Sequence, residues 1–390
     1  MANVIKRNNS YLVTVSAGYD INGKQIRKTA TFRPDSALTA KQQEKALNEF
    51  VVLFEKKVQE GQVLDSSIRF ASFAEKWFND YAEEQLAPKT IERYKSLMTR
   101  INQAIGNIRL DKLQPHHLIS FYKNLAEDGM NEKTGGKLSA KTIQHHHRLI
   151  SAILNTAVQW QLLFANPTQR VKPPKVTQRE ISYLDEYQAQ EMIRLLNNEP
   201  LKYRTALILA IYSGLRRGEL CGLKWQDVDF NNNTLSVRRS IQALSNKGIF
   251  EKSPKNNSSL RTIKLSNEAV LFLNEHKKWQ EEEKHKLGSK WVDGDYIFTQ
   301  WNGEVIHPDT LTGYFGKFAK KNNLPKGVTL HSLRHTNATL LIAGGMPIRT
   351  VASRLGHAQT STTTNIYTHA LQSAEAKAAE VLEDMLNPVK

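Results

Sequence analysis

His331-Ser332-Leu333-Arg334-His335 sets a histidine and an arginine three residues apart, a spacing that brings both side chains to one face of a helix. Two histidines four apart also mark zinc proteases, but in that motif a glutamate follows the first histidine. Here Ser332 follows it, and Arg334 would press a cation against the metal. No metal is expected at this stretch.

Three further segments of the same C-terminal half carry groups suited to one task, displacement at a phosphodiester without a metal. Upstream, Ser213-Gly214-Leu215-Arg216-Arg217-Gly218-Glu219-Leu220 follows the apolar helix Leu207 to Ile211. Gly214 and Gly218 permit close backbone approach, and Arg216 is expected to be held at a site, where its guanidinium fork matches phosphate oxygens. Downstream come Leu355-Gly356-His357 and then Tyr367 in Asn365-Ile366-Tyr367-Thr368-His369. Between the first two segments, Thr234 to Leu244 and Arg261 to Leu265 alternate like strands and flank a polar stretch containing Lys255. A hairpin is therefore expected to interrupt a helical domain.

Taken in order, these residues resemble the tyrosine recombinase or phage integrase family, whose last domain carries Arg, Lys, His-x-x-Arg, His and a terminal Tyr. Arg216 in Gly-Leu-Arg-x-x-Glu-Leu, His331 and Arg334 in His-x-Leu-Arg-His, His357 in Leu-Gly-His and Tyr367 in Ile-Tyr-x-His fit that pattern position by position. The family's lysine lies in a β-hairpin between the first arginine and the first histidine. Lys255 in Ser253-Pro254-Lys255 fits it best, with Lys252 and Lys264 as competitors.

The resemblance implies a mechanism that the residue types can perform. Arg216 and Arg334 would clamp the nonbridging oxygens, where charge shifts in the transition state. Tyr367 would be the nucleophile; a phenol with a reference pKa of about 10 needs its proton taken during attack, with His331 as the base and His357 holding the phosphate by a hydrogen bond. Lys255 would protonate the leaving 5′ oxygen. By resemblance alone, Glu219 orients a catalytic side chain and His335 packs within its helix. The 3′ phosphotyrosyl link would conserve bond energy, so no cofactor and no ATP are expected.

The same resemblance implies arm and core attachment sites on double-stranded DNA, a homotetramer on paired sites, an excisionase partner, a bacterial DNA-bending protein and insertion of a phage or conjugative element into a host chromosome. Two alternatives are a catalytically inactive DNA-binding regulator and a type IB topoisomerase-like relaxase. Intact Arg216, Arg334, His331 and Tyr367 argue against the first, since a binding protein has no need for a phenol beside a phosphate clamp, and the N-terminal module argues against the second.

That module is read from the other end of the chain. Residues 10–16 and 24–33 alternate apolar and polar around Asn22-Gly23, as in a β-hairpin, and Thr39 opens a helix with Ala46, Leu47, Phe50, Leu53 and Phe54 at helical spacing, ending near Gly61. Gln25, Arg27, Thr29, Thr31 and Arg33 share the strand face opposite Ile26 and Phe32, a ribbon that could enter a major groove or be an ordinary solvated face. From Phe70 to about Pro167 helices are expected near 70–85, 88–104, 115–128 and 139–161, where Lys89, Arg93, Lys141 and Arg148 could track phosphates. His145-His146-His147 cannot converge on one tetrahedral ion, because neighbours on a helix point about 100° apart.

The expected architecture is therefore multidomain and mainly α: residues 1–62 a small β-sheet plus helix resembling an arm-type DNA-binding domain, 68–170 a helical bundle resembling the core-binding domain, and 177–390 a mixed, mainly α catalytic domain with a small β-hairpin or sheet. Val171-Lys172-Pro173-Pro174-Lys175-Val176 reads as a stiff basic connection, and Leu371 to Met385 as a terminal helix. Composition agrees with a polyanionic partner: 54 Lys and Arg against 38 Asp and Glu give 390 residues a formal net charge of +16. The one cysteine, Cys221, lies between Leu220 and Leu223 in an apolar setting and reads as a packed side chain; no intramolecular disulfide is possible. With no signal-like start and no membrane-length apolar run, a cytoplasmic location in a bacterial host is expected.

Overall fold

A computed structural model of the chain describes residues 2–19, 23–59, 68–177, 181–245, 247–252 and 260–356. Lys255, His357, Tyr367, Asn22 and the expected terminal helix lie outside the described residues. The chain divides into two compact units, Met1–Gln178 and Arg179–Lys390.

The first unit opens with an antiparallel sheet of β1 (Asn3–Arg7), β2 (Ser10–Tyr19) and β3 (Gln25–Phe32), in that spatial order. The expected hairpin is thus three strands; β1 escapes a period-2 reading because every residue in it is exposed. Helix α1 (Ala40–Gln59) lays Phe54 and Val58 against Val13 and Val15, and Phe50 packs on Phe32 with ring centroids 5.2 Å apart. Two expected inward residues are in fact exposed: Ile26 at the open end of β3, and Leu53, which turns out with Val52 beyond the stripe that meets the sheet.

Next comes a helical bundle. Helix α2 (Phe70–Trp77) runs through a π-helical turn, Phe78–Ala82, into α3 (Glu83–Gln85), followed by α4 (Pro88–Ile105), α5 (Pro115–Leu125) and α6 (Ala140–Gln159). Their inward stripes, among them Phe70, Phe73, Trp77, Ile101, Leu118, Leu125, Leu149 and Ile153, form a core separate from that of the sheet. Trp77 enters this core with its indole N–H satisfied by Thr156 Oγ1 at 2.9 Å. The Ser139 hydroxyl caps α6 by accepting from the Thr142 N–H.

The second unit is built around one helix. After α7 (Glu186–Leu196), α8 (Leu201–Ser213) is buried from Thr205 to Ile211 and again at Ser213, so it has no polar face and must be enclosed. Around it stand α9 (Arg217–Cys221), α10 (Asn267–Leu287), α11 (Pro308–Lys321), α12 (Leu330–Ala343) and α13 (Ile348–Leu355). The strands are β4 (Val228–Asp229), β5 (Thr234–Val237), β6 (Ser240–Leu244), β7 (Gly248–Lys252) and β8 (Arg261–Lys264).

The strand run expected from Thr234 to Leu244 is two strands in two sheets. β5 lies between β4 and β8, whereas β6 pairs with β7. The break falls at Arg238-Arg239, where Arg239 turns its guanidinium onto buried Asp227 and the Gly222 carbonyl and lies 3.3 Å from Glu251 on β7. Glu251 also accepts from Tyr296 Oη at 3.2 Å, so the β6–β7 hairpin is pinned to the body of the unit by charge as well as by packing.

Candidate active site

Two glycines end the helices that frame the site. Gly214 closes α8 and Gly356 closes α13, both in the left-handed conformation, with φ +63° and +66°. A Cβ on Gly214 would lie 2.5 Å from Leu355 Cδ2 and 2.9 Å from Asn337 Oδ1, so the two helix ends meet there with no room for a side chain. Gly218 is as tight: a Cβ would stand 2.7 Å from the Ile241 carbonyl oxygen. Both glycines singled out from sequence therefore do permit close approach.

The last turn of a helix leaves carbonyls without intrahelical partners. At the end of α13 three consecutive ones are each taken by a different arginine. Arg261 Nε donates to the Arg354 carbonyl at 2.7 Å, Arg334 Nη2 to the Leu355 carbonyl at 2.7 Å, and Arg216 Nη2 to the Gly356 carbonyl at 3.2 Å. Arg334, almost wholly buried, also donates through Nη1 to the Gly214 carbonyl at 2.7 Å and so joins the ends of α8 and α13. Two helix C-termini, each carrying partial negative charge, offset the cost of burying this guanidinium.

Arg216 precedes α9 and is more open, its side chain 39% exposed. The Glu219 carboxylate accepts from its backbone N–H and its Nη1, both at 2.9 Å, and from Arg261 at 2.8 and 3.2 Å. Burial by itself would raise the Glu219 carboxyl, but the Arg261 hydrogen bond and charge, aided by Arg216, hold it below the usual carboxylate range. His331 lies on the exposed side of α12. Its imidazole is nevertheless depressed below the usual histidine range by partial desolvation and then by the charges of Arg334 and Arg216. It is neutral at pH 7 and able to accept a proton. His335, one turn on, meets His331 edge to face at 4.9 Å and is pushed down to about 4 by burial and by its His331 and Arg334 neighbours.

The structure thus brings Arg216, Glu219, His331, Arg334 and His335 together at the end of α13. Among the lysines, Lys264 spends its ammonium on the Asn232 carbonyl at 2.5 Å, in the β4–β5 turn, while Lys252 is the last residue of β7, three before Lys255 in sequence. Sequence reasoning missed Arg261, Arg354 and Asn337. Arg354 donates to the Tyr212 and Lys264 carbonyls, and Asn337 to those of Ile211 and Tyr212. No local signal marks them, although Arg261 leads the strand already noted.

In the first unit, Arg27, Thr29 and Arg33 are exposed on β3 and just beyond it, and Lys89, Arg93 and Lys141 are exposed on α4 and α6. His145 is depressed by burial and then by Arg93, Arg148 and Lys141, which places those three cations around one imidazole. The three neighbouring histidines diverge: His146 bonds the Thr142 carbonyl at 2.9 Å and His147 the Tyr122 hydroxyl at 3.0 Å. Among the described residues no group of three His, Cys, Asp or Glu stands as a metal site would require, and no helix is long and apolar enough to cross a membrane. Cys221 is fully buried and its thiol is pushed up to about 12, which leaves it packed and unreactive.

The chain is similar to known proteins. The phage integrase family matches residues 182–374, and the N-terminal SAM-like domain of phage integrases matches residues 69–126. A tyrosine recombinase XerC-like protein of Caldanaerobacter subterraneus is 29% identical over 96% of this chain and 96% of its own length. The ICEBs1 integrase of Bacillus subtilis is 27% identical over 97% and 98%. The Tn1549 transposon integrase, solved in complex with transposon right end DNA, shares the fold, with a TM-score of 0.68 at 24% identity over 81% of this chain and all of that one. The chain belongs to the phage integrase family of tyrosine recombinases, enzymes that break and rejoin DNA.

Proposed function

We infer that this protein is a site-specific recombinase of a mobile element, integrating it through a 3′-phosphotyrosine intermediate and, with a helper, excising it. The observation that carries this reading is the convergence of Arg216 and Arg334 on the carbonyls that end α13, with His331 within reach of both their charges, one residue before His357 and eleven before Tyr367 in sequence. Two fixed guanidiniums can hold a phosphodiester, and a neutral imidazole beside them can receive the phenolic proton. Lys255 is assigned as the acid for the 5′ oxygen; the engagement of Lys264 with the β4–β5 turn favours it over that competitor. His357 positions the phosphate, Tyr367 attacks it, Glu219 orients Arg216, and His335 packs against His331.

Residues 1–62 bind arm sites through the β3 face of Arg27, Thr29 and Arg33. Residues 68–170 grip core DNA through Lys89, Arg93 and Lys141, and residues 177–390 cut. The exposed cations around His145 support that division. The enzyme works as a homotetramer on paired attachment sites in the bacterial cytoplasm, with an excisionase and a DNA-bending protein as partners. Neither the inactive regulator nor the topoisomerase-like relaxase finds support among the relatives.

The test is a suicide-substrate assay, in which wild type and Tyr367→Phe are incubated in EDTA with a nicked crossover-site duplex. An EDTA-resistant protein–DNA adduct on a denaturing gel with wild type only is the expected result. Binding without any adduct would return the regulator as the leading reading.

A further inference from the structure

We propose that Arg261 is a positioning residue of the recombination site, the cross-piece that sets Glu219, and through it Arg216, in register with the end of α13. Three observations carry this. Its guanidinium meets the two carboxylate oxygens of Glu219 in a fork, at 2.8 and 3.2 Å, while its Nε donates to the Arg354 carbonyl at 2.7 Å. Its side chain is 7% exposed, and so is that of Glu219, so this ion pair is held away from water. Arg354 in turn reaches the Lys264 carbonyl at 3.2 Å, which crosses β8 and α13 a second time.

The placement explains why an arginine is needed. A buried ion pair is retained only when the fork is complete, because either partner left alone would be a desolvated charge. Arg261 leads β8, the strand entered directly from the stretch that contains Lys255, and its partners lie on α9, which follows Arg216, and on α13, which precedes His357. One side chain therefore couples three segments that the chemistry requires at fixed separations, and displacements of about 1 Å at such sites can cost a hundredfold in rate. Lysine can replace it only in part, since a single ammonium keeps the charge but lacks the planar fork that spans a carboxylate and a carbonyl together.

This inference rests on the recombinase reading, so the experiment separates the two. Full-length wild type, Arg261→Gln, Arg261→Lys, Glu219→Gln and the Arg261→Gln/Glu219→Gln double variant are compared on the nicked crossover-site duplex. DNA affinity, thermal unfolding and the first-order rate of adduct formation are measured across pH. Arg261→Gln is expected to bind DNA within about twofold of wild type yet form the adduct at least about tenfold more slowly, with the double variant no slower than the slower single. Its deficit should also deepen as pH falls, because Glu219 loses the neighbour that keeps it charged. The other groups facing this carboxylate or its arginine partners, Arg216, Arg354, Arg334 and His331, are common to all five proteins, so the difference from wild type isolates Glu219.

Should Arg261→Gln not fold, Arg261→Lys decides, with a rate between wild type and Glu219→Gln at unchanged affinity as the supporting outcome. A rate within about twofold of wild type in the folded variant, or losses that multiply in the double variant and follow DNA affinity, overturn the proposal. A wild type that forms no adduct overturns the recombinase reading itself, and this inference with it.

Discussion

Arg261 and Arg354 tie strand β8 to helix α13: the Arg354 carbonyl accepts from Arg261 Nε at 2.7 Å, and the Arg354 guanidinium donates to the carbonyl of Lys264, three residues along from Arg261, at 3.2 Å. Burial and the nearby Arg261 charge hold Arg354 below the usual guanidinium range. Two cations pack side by side because each lies on backbone carbonyls, and the Glu219 carboxylate closes the group. The helix end that precedes His357 is thereby fixed by groups distant in sequence, and the following predictions probe it and the surfaces around it.

Gly214→Ala should destabilise the protein by roughly 1–3 kcal/mol, since a left-handed residue gains a Cβ that collides with Leu355 and Asn337. Urea unfolding monitored by circular dichroism checks this. A variant as stable as wild type would mean that the ends of α8 and α13 can part without cost.

Arg334→Ala should remove stability as well as activity. Deleting the guanidinium strands the Gly214 and Leu355 carbonyls in a buried setting, at a cost of about 2–4 kcal/mol, whereas loss of a purely catalytic group would leave unfolding unchanged. The same unfolding measurement, set beside the adduct assay, separates these outcomes.

Acid should weaken the fold through His335. Its folded pKa of about 4 lies below the unfolded value of about 6.5, so between these limits the unfolded chain binds more protons and stability rises with pH. The contribution is intact above about pH 6.5 and lost as pH falls toward 4. Glu219, depressed in the folded state, adds a loss at lower pH still, as it protonates below the unfolded carboxylate value. A His335→Gln variant should therefore show a flatter melting temperature between about pH 4 and 6.5; an unchanged slope would place the titration elsewhere.

Arg93→Ala and Lys141→Ala should weaken binding of a core-site duplex without altering melting, because both side chains are exposed. If each meets one phosphate, the slope of log affinity against log salt should fall by about one per substitution. Filter binding at several salt concentrations measures it, and a slope equal to that of wild type would remove these residues from the DNA interface.

What the sequence disclosed and what it withheld follow one physical line. Arg216, His331 and Arg334 were legible because their neighbours in the chain, Gly214, Glu219 and Leu333, set their local geometry. The helices of the bundle were legible because burial imposes the 3.6-residue period on Ile101, Leu118 or Ile153. Arg261 and Arg354 were not, since their meaning lies in carbonyls 93 and 142 residues away in sequence. Nor was the division between β5 and β6, which depends on Arg239 finding Asp227 rather than on any loss of alternation. The outward turn of Leu53 was equally hidden, because the stripe that meets the sheet is narrower than the apolar face of α1.

The sequestered carbonyls at the end of α13 carry one further consequence. Every contact described around Arg216, Arg261 and Arg334 is made by residues up to Gly356, whereas His357 and Tyr367, the proposed nucleophile, follow it in sequence. On the proposed catalytic assignment, a chain cut after Gly356 would retain every residue of this arginine network and lack the one that attacks DNA, so the framework of the site and its chemistry are separable along the sequence.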